Sequence, residues 1–301
     1  MERSKEYLKR LEALNGGPLR NREVAPRDTP SRAEPAPFEY RRAPTVGSSP
    51  TTPYHAPRRM VKLDEVITGE EIPILERGVA YCITTPIATL DGHRELGQRF
   101  QRALGRDNAH LPRRLAQRCA IDAVMPDDVL FLDLETTGLG VTPLFLIGAL
   151  SWQDGDLVAR QYLARHYGEE AAATALFMNL AHNKRLLISF NGKSFDWPFL
   201  RLRAAVNTVP CLLSCPHFDL LHEARRIWRG RLPNCKLQTL EQHVCGRPPR
   251  AGDIPGADIP QAYHDFVRTG NAAQMAQIIH HNLLDLVTMA ELMVLLPPLE
   301  P

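Results

Sequence analysis

The 301-residue chain has no uninterrupted apolar run of the roughly 18–20 residues that a membrane-crossing helix needs. Its charged opening, "MERSKEYLKRLEALNGG", lacks the apolar centre of a secretory signal. No membrane partner and a cytoplasmic location are the resulting expectations. Cysteine is scarce as well: Cys82, Cys119, Cys211, Cys215, Cys235 and Cys245 are too few and too scattered for a disulfide scaffold, so reduced thiols are expected. Cys211, Cys215, His217 and Cys235 match no paired ribbon or finger spacing, which favours half-buried structural thiols over zinc. An excess of either charge is also missing, since 36 Lys and Arg face 34 Asp and Glu for a net charge of +2. Any nucleic-acid surface therefore has to be local.

What is present is enough hydrophobic sequence, 44%, to bury a substantial core. It is unevenly distributed. Residues 1–58 are dense in Pro, Arg, Ser and Thr and read as a disordered tail, with a short marginal helix through Tyr7, Leu8, Leu11 and Leu14. Residues 59–112 ("MVKLDEVITGEEIPI", "GVAYCITTPIATL", "HRELGQRFQRALGRD") read as a small accessory unit of short strands and a helix, tied on by the basic link "LPRRLAQR". Residues 127–296 alternate: three strands in "DVLFLDLET", "PLFLIGALSW" and "DLVARQYLA", a helix, the strand "RLLISFN", the helix "SFDWPFLRLRAAV", then helices to the end. The expected class is α/β, a central sheet flanked by helices.

Inside the first of those strands, side chains alternate faces, so Asp133 and Glu135 point the same way while Leu132 and Leu134 enter the opposite layer. They lie near the strand's carboxyl end, where open α/β sheets place a ligand crevice. Two like charges there repel and lose hydration unless a cation meets them, and oxygen-only ligands point to Mg²⁺ or Mn²⁺. Asp196 opens the helix after "SFNGKSF", where capping is its bland explanation. Asp285 lies among Leu283, Leu284, Leu286 and Val287, which makes an unpaired carboxylate costly. His281, four residues earlier, shares its helix face at about 40°, whereas His280 is roughly 140° away.

These acids in this order resemble the DEDD exonucleases of the ribonuclease H-like superfamily. "FLDLETTGL", "SFNGKSFDWPFL", "HFDLLHEARRIWRGRLPNCKLQTLE", "DIPGADIPQAYHDFVRTG" and "HHNLLDLVTMAEL" resemble its YprB-like branch more closely, over about Asp127 to Leu296. The resemblance implies a ribonuclease H-like fold with a mixed sheet and a metal-dependent nuclease, read first as a 3′-to-5′ exonuclease on single-stranded ends of DNA or RNA. It further implies two Mg²⁺ or Mn²⁺ ions held by Asp133, Glu135, Asp196 and Asp285. His281 would orient or deprotonate the attacking water, although His280 has the spacing of the His-type relatives. The loop between Gly138 and Phe145 is shorter than in many relatives. Thr137, Asn191 and Lys193, close to the acids in sequence, are candidates to position the terminal nucleotide. Arg225, Arg226, Arg229, Arg231 and Lys236 are candidates for phosphate contact, against the plainer reading of a solvated helix face. Trp228 is a candidate stacking residue or a core aromatic. A catalytically silent nucleic-acid-binding module and a structure-specific endonuclease are the alternatives.

Overall fold

A computed structural model of the protein describes residues 60–105, 110–138, 140 and 142–299. The tail at 1–58 and the short helix expected within it lie outside the described residues. After a single helical turn α1 (Leu63–Val66), the strands are β1 (Glu70–Ile74), β2 (Gly78–Pro86), β3 (Val129–Thr136), β4 (Leu144–Gln153), β5 (Asp156–Leu163), β6 (Leu186–Ser189) and β7 (His217–Asp219). The helices are α2 (Leu96–Leu104), α3 (His110–Cys119), α4 (Glu170–Ala181), α5 (Asp196–Val206), α6 (Leu220–Trp228), α7 (Leu237–His243), α8 (Ile259–Thr269) and α9 (Met275–Leu295).

All seven strands form one mixed sheet in the order β1-β2-β5-β4-β3-β6-β7. From β1 to β3 neighbours are antiparallel, while β3-β6 and β6-β7 are parallel. The segment read as an accessory unit thus extends the main sheet, with β2 paired to β5 from Tyr81↔Leu163 to Pro86↔Val158. The expected basic link is helix α3. Its Leu111 and Leu115 are buried four residues apart, and Arg114 is buried between Glu223, with which it pairs, and the Pro297 carbonyl at 2.6 Å. A seventh strand was not expected: "HFD" pairs with β6 from Leu187↔His217 to Ser189↔Asp219, and the helix read over that stretch starts only at Leu220.

The pattern of β3 explains where the site falls. Its first four residues, "VLFL", are buried and its last four, "DLET", only partly so. Leu130 and Leu132 pack with Leu200 and Ala204 of α5 and with Phe177 of α4. Val129 and Phe131 pack on the other face with Leu283, Leu286, Val287 and Ala290 of α9. Asp133 and Glu135 continue this second face. Helix α9 is long and apolar enough to cross a membrane by length and composition, yet 67% of that window is buried inside the protein. It is the core helix, and each fully buried Leu, Ile, Val or Met on it contributes about 1.5–3 kcal/mol.

Candidate active site

Three elements deliver four carboxylates to the carboxyl ends of β3 and β6. Asp133 and Glu135 come from β3, where the register with β4 shifts between Glu135 and Thr136 and bends the strand end. Asp196 is the first residue of α5, and Asp285 lies midway along α9. Their mutual proximity shows in their acidities. Burial raises Asp133 well above the usual carboxylate range, and the charges of Asp285, Glu135 and Asp196 add to it. Glu135 is raised well above its range in the same way, by burial and then by Asp285, Asp196 and Asp253. Asp196 is raised to about 7 by burial, against hydrogen bonds from its own amide and that of Leu134. Asp285 is raised by burial although Arg250 and His281 pull it down.

Asp133 is held by a row of residues at one height of the sheet. Gly148 of β4 pairs with Asp133 on one side and with Gln161 of β5 on the other. Gln161 Nε2 donates to Asn282 Oδ1 and to the Ile279 carbonyl, both at 2.8 Å, and Asn282 Nδ2 donates to Asp133 Oδ2 at 2.7 Å. A side chain at Gly148 would overlap the Asn282 amide, so only glycine lets α9 approach here.

The loop from β6 to α5 is organised by Asp219. Its buried carboxylate accepts from the amides of Asn191 (2.8 Å), Lys193 (3.0 Å) and Leu221 (3.0 Å). Asn191 takes a left-handed conformation, φ +66°. A Cβ on Gly192 would lie 2.6 Å from Ser189 Cβ and 2.9 Å from Asp196 Oδ2, so this glycine lets the loop close beneath Asp196.

On α9, His281 faces the acids and His280 is exposed. His281 Nδ1 lies 2.8 Å from Asp253 Oδ1, and its Nε2 is 3.7 Å from Asp285 Oδ2. Arg250 Nη2 lies 2.6 Å from both Asp285 Oδ1 and Glu241 Oε2. Behind it, Arg247 bonds Thr288 and sits 3.2 Å from Glu291.

The remaining candidates separate. The Thr137 hydroxyl and amide both donate to the Pro143 carbonyl at 3.0 Å, so Thr137 braces its own loop instead of presenting a free hydroxyl. Asn191 and Lys193 stand on the Asp219-held loop, with the Lys193 side chain exposed. Arg225, Arg229, Arg231 and Lys236 are exposed, and among the described residues none is paired with an acid, whereas Arg226 pairs with Glu223. Trp228 is partly buried and packs against the cluster of Ala224, Leu240 and Leu292. Cys211, Cys215 and His217 border a cavity of about 590 Å³ at the sheet edge. His217 shares a 2.6 Å hydrogen bond with Ser189, and burial lowers its pKa to about 4.

Among the described residues no three Asp, Glu, His or Cys side chains already form a closed metal cage. The donor set nevertheless fits divalent cations. Asp133, Glu135 and Asp196 offer oxygen only, are half-buried beside one another, and repel without a cation between them. Asp285 has one oxygen engaged by Arg250 and the other toward His281. Spacing and strand period point to the acids and His281, but they do not reveal Asn282, Gln161, Asp219, Arg250 or Asp253. Asn282 and Asp253 both stand inside quoted motifs, next to His281 and at the head of "DIPG".

A sequence model of the RNase_H superfamily matches residues 130–297, from the second residue of β3 to just beyond α9. The chain belongs to this superfamily, whose members are generally hydrolytic nucleases that typically use divalent metal ions. Within it the likeness is to YprB of Bacillus subtilis strain 168, an uncharacterized protein 32% identical over 171 residues. The match covers 55% of this chain and 41% of YprB, so the chain spans less than half of that relative's length. Among solved structures, the family B DNA polymerase of the hyperthermophilic archaeon Pyrobaculum calidifontis is similar over 54% of this chain and 23% of its own, at 18% identity and a TM-score of 0.43.

Proposed function

We propose that the chain is a divalent-cation-dependent nuclease that removes nucleotides from the 3′ ends of single-stranded nucleic acid. One observation carries the reading: four half-buried carboxylates from three elements stand together, each with its pKa raised by lost hydration, with a histidine alongside. Natural chains keep such uncompensated charge where a function needs it.

Asp133, Glu135, Asp196 and Asp285 would hold a pair of Mg²⁺ or Mn²⁺ ions. Bound there, the ions supply an activated water and charge neutralisation at the scissile phosphate. The chain's own side chains do the rest. Asn282 keeps Asp133 Oδ2 fixed, and Asp219 fixes the loop that carries Asp196. His281 Nε2, on the Asp285 side of its ring, takes the proton of the attacking water. The Asn191 side chain and the Lys193 ammonium stand on the same loop, within reach of a terminal nucleotide. Exposed Arg225, Arg229, Arg231 and Lys236 offer positive charge to the backbone of the incoming strand.

The test is digestion of 5′-labelled single-stranded DNA and RNA, beside a circular single strand, with Mn²⁺ or Mg²⁺ and with chelator. Asp133→Ala and Glu135→Ala proteins serve as controls. A ladder shrinking from the 3′ end, absent with chelator and in both variants, is the expected result. Cutting of the circle would replace the exonuclease with an endonuclease. A second reading, a binding platform without turnover, has one observation in its favour: Arg250 already engages one oxygen of Asp285. Binding of the labelled strands with no cutting under either metal would select it.

A further inference from the structure

The loop between α7 and α8 supplies what aims His281. Asp253 Oδ1 stands 2.8 Å from His281 Nδ1. The other oxygen accepts from Gln238 Nε2 at 2.9 Å, and Arg250 Nη1 lies 3.7 Å from it. A carboxylate has no hydrogen to give, so the hydrogen between Asp253 and His281 belongs to Nδ1. A neutral His281 then has a bare lone pair at Nε2, the nitrogen that faces Asp285 Oδ2 at 3.7 Å.

We infer that Asp253, steadied by Gln238 and Arg250, is a positioning residue that fixes His281 as the Nδ1–H tautomer and turns its basic nitrogen into the acid site. The same loop steadies the second reactive side chain of α9, because Arg250 Nη2 bonds Asp285 Oδ1 and leaves Oδ2 on the His281 side. Residues 247–253 therefore orient both groups, one through a carboxylate and one through a guanidinium. The inference deepens the nuclease reading and rests on it for its catalytic meaning. With the hydrogen on Nε2 instead, His281 would present a donor where a water proton has to be accepted.

The tautomer is measurable without substrate or metal. Two-bond ¹⁵N–¹H spectra of the ¹⁵N-labelled full chain, at a pH where the ring is neutral, report which nitrogen carries hydrogen. His281 is assigned by the signals lost in His281→Gln. The expected result is Nδ1–H in the natural protein and a shift of hydrogen to Nε2 in Asp253→Asn and Asp253→Ala. Turnover in Asp253→Asn should fall about 10²–10⁴-fold, with little change in KM. An Nε2–H ring in the natural protein overturns the inference even if the variants do not fold, and so does an unchanged tautomer in folded variants. The two readings fail separately. The expected tautomers in a protein that cuts no nucleic acid support Asp253's role and sink the nuclease, whereas an active nuclease with unchanged tautomers sinks only the role of Asp253.

Discussion

Asn282 reaches Asp133 across 149 residues of chain and donates to it at 2.7 Å, with its amide oriented from behind by Gln161. This contact is a designed fit between helix and sheet, because Gly148 supplies the room. Gly148→Ala should cost about 1–3 kcal/mol through overpacking. Asn282→Asp should cost more, since it replaces the donor with a second carboxylate against Asp133. Urea unfolding midpoints of the two variants check the order.

Acidity should govern the metal-free stability. Asp133, Glu135 and Asp285 are raised and Asp196 reaches about 7, against about 4 for these groups in an unfolded chain. Through that window the native state binds more protons than the unfolded one, so these groups lower stability as pH rises. With chelator, the melting temperature should fall from pH 5 to pH 8 more steeply in the natural protein than in Asp196→Asn. Asp196→Asn should melt higher than the natural protein at pH 8, by about 2–4 °C per kcal/mol gained. Millimolar Mn²⁺ should raise the natural protein's melting temperature at pH 8 and have little effect at pH 5. An identical pH slope in both proteins would remove Asp196 from this account.

Asp219 should matter to the site without touching substrate. In Asp219→Ala, the amides of Asn191, Lys193 and Leu221 lose their acceptor, a loss of about 2–4 kcal/mol for a buried charged partner. Hydrogen exchange at Asn191 and Lys193 should accelerate ahead of the β3 amides. Exchange that stays slow at those two positions would mean that the loop is held by something else.

The legible part of the molecule was the part governed by short-range periodicity. A strand repeat of two puts Asp133 and Glu135 on one face, and a helical repeat of four puts His281 over Asp285, so both pairs could be read from spacing. The rest depends on packing between distant segments. Strand β7 has three residues, too few to show an alternation, and exists because β6 offers a parallel edge. Helix α3 looked like a basic link because the partner that makes Arg114 a core residue, Glu223, lies 109 residues away. The strands of 59–112 were visible, but their docking on β5 was not. Arg250 and Asp253 sit on a loop whose meaning appears only when α9 lies against it.

The acids also appear in a fixed order during synthesis. Strand β3 and helix α5 carry three of them, and α9 brings the fourth together with His281 and the Asn282 that anchors Asp133. A chain that stops before residue 275 therefore lacks His281, one of the four carboxylates and the core helix at once. Loss of α9 removes the fourth carboxylate and uncovers the Val129 and Phe131 face of the sheet in the same step.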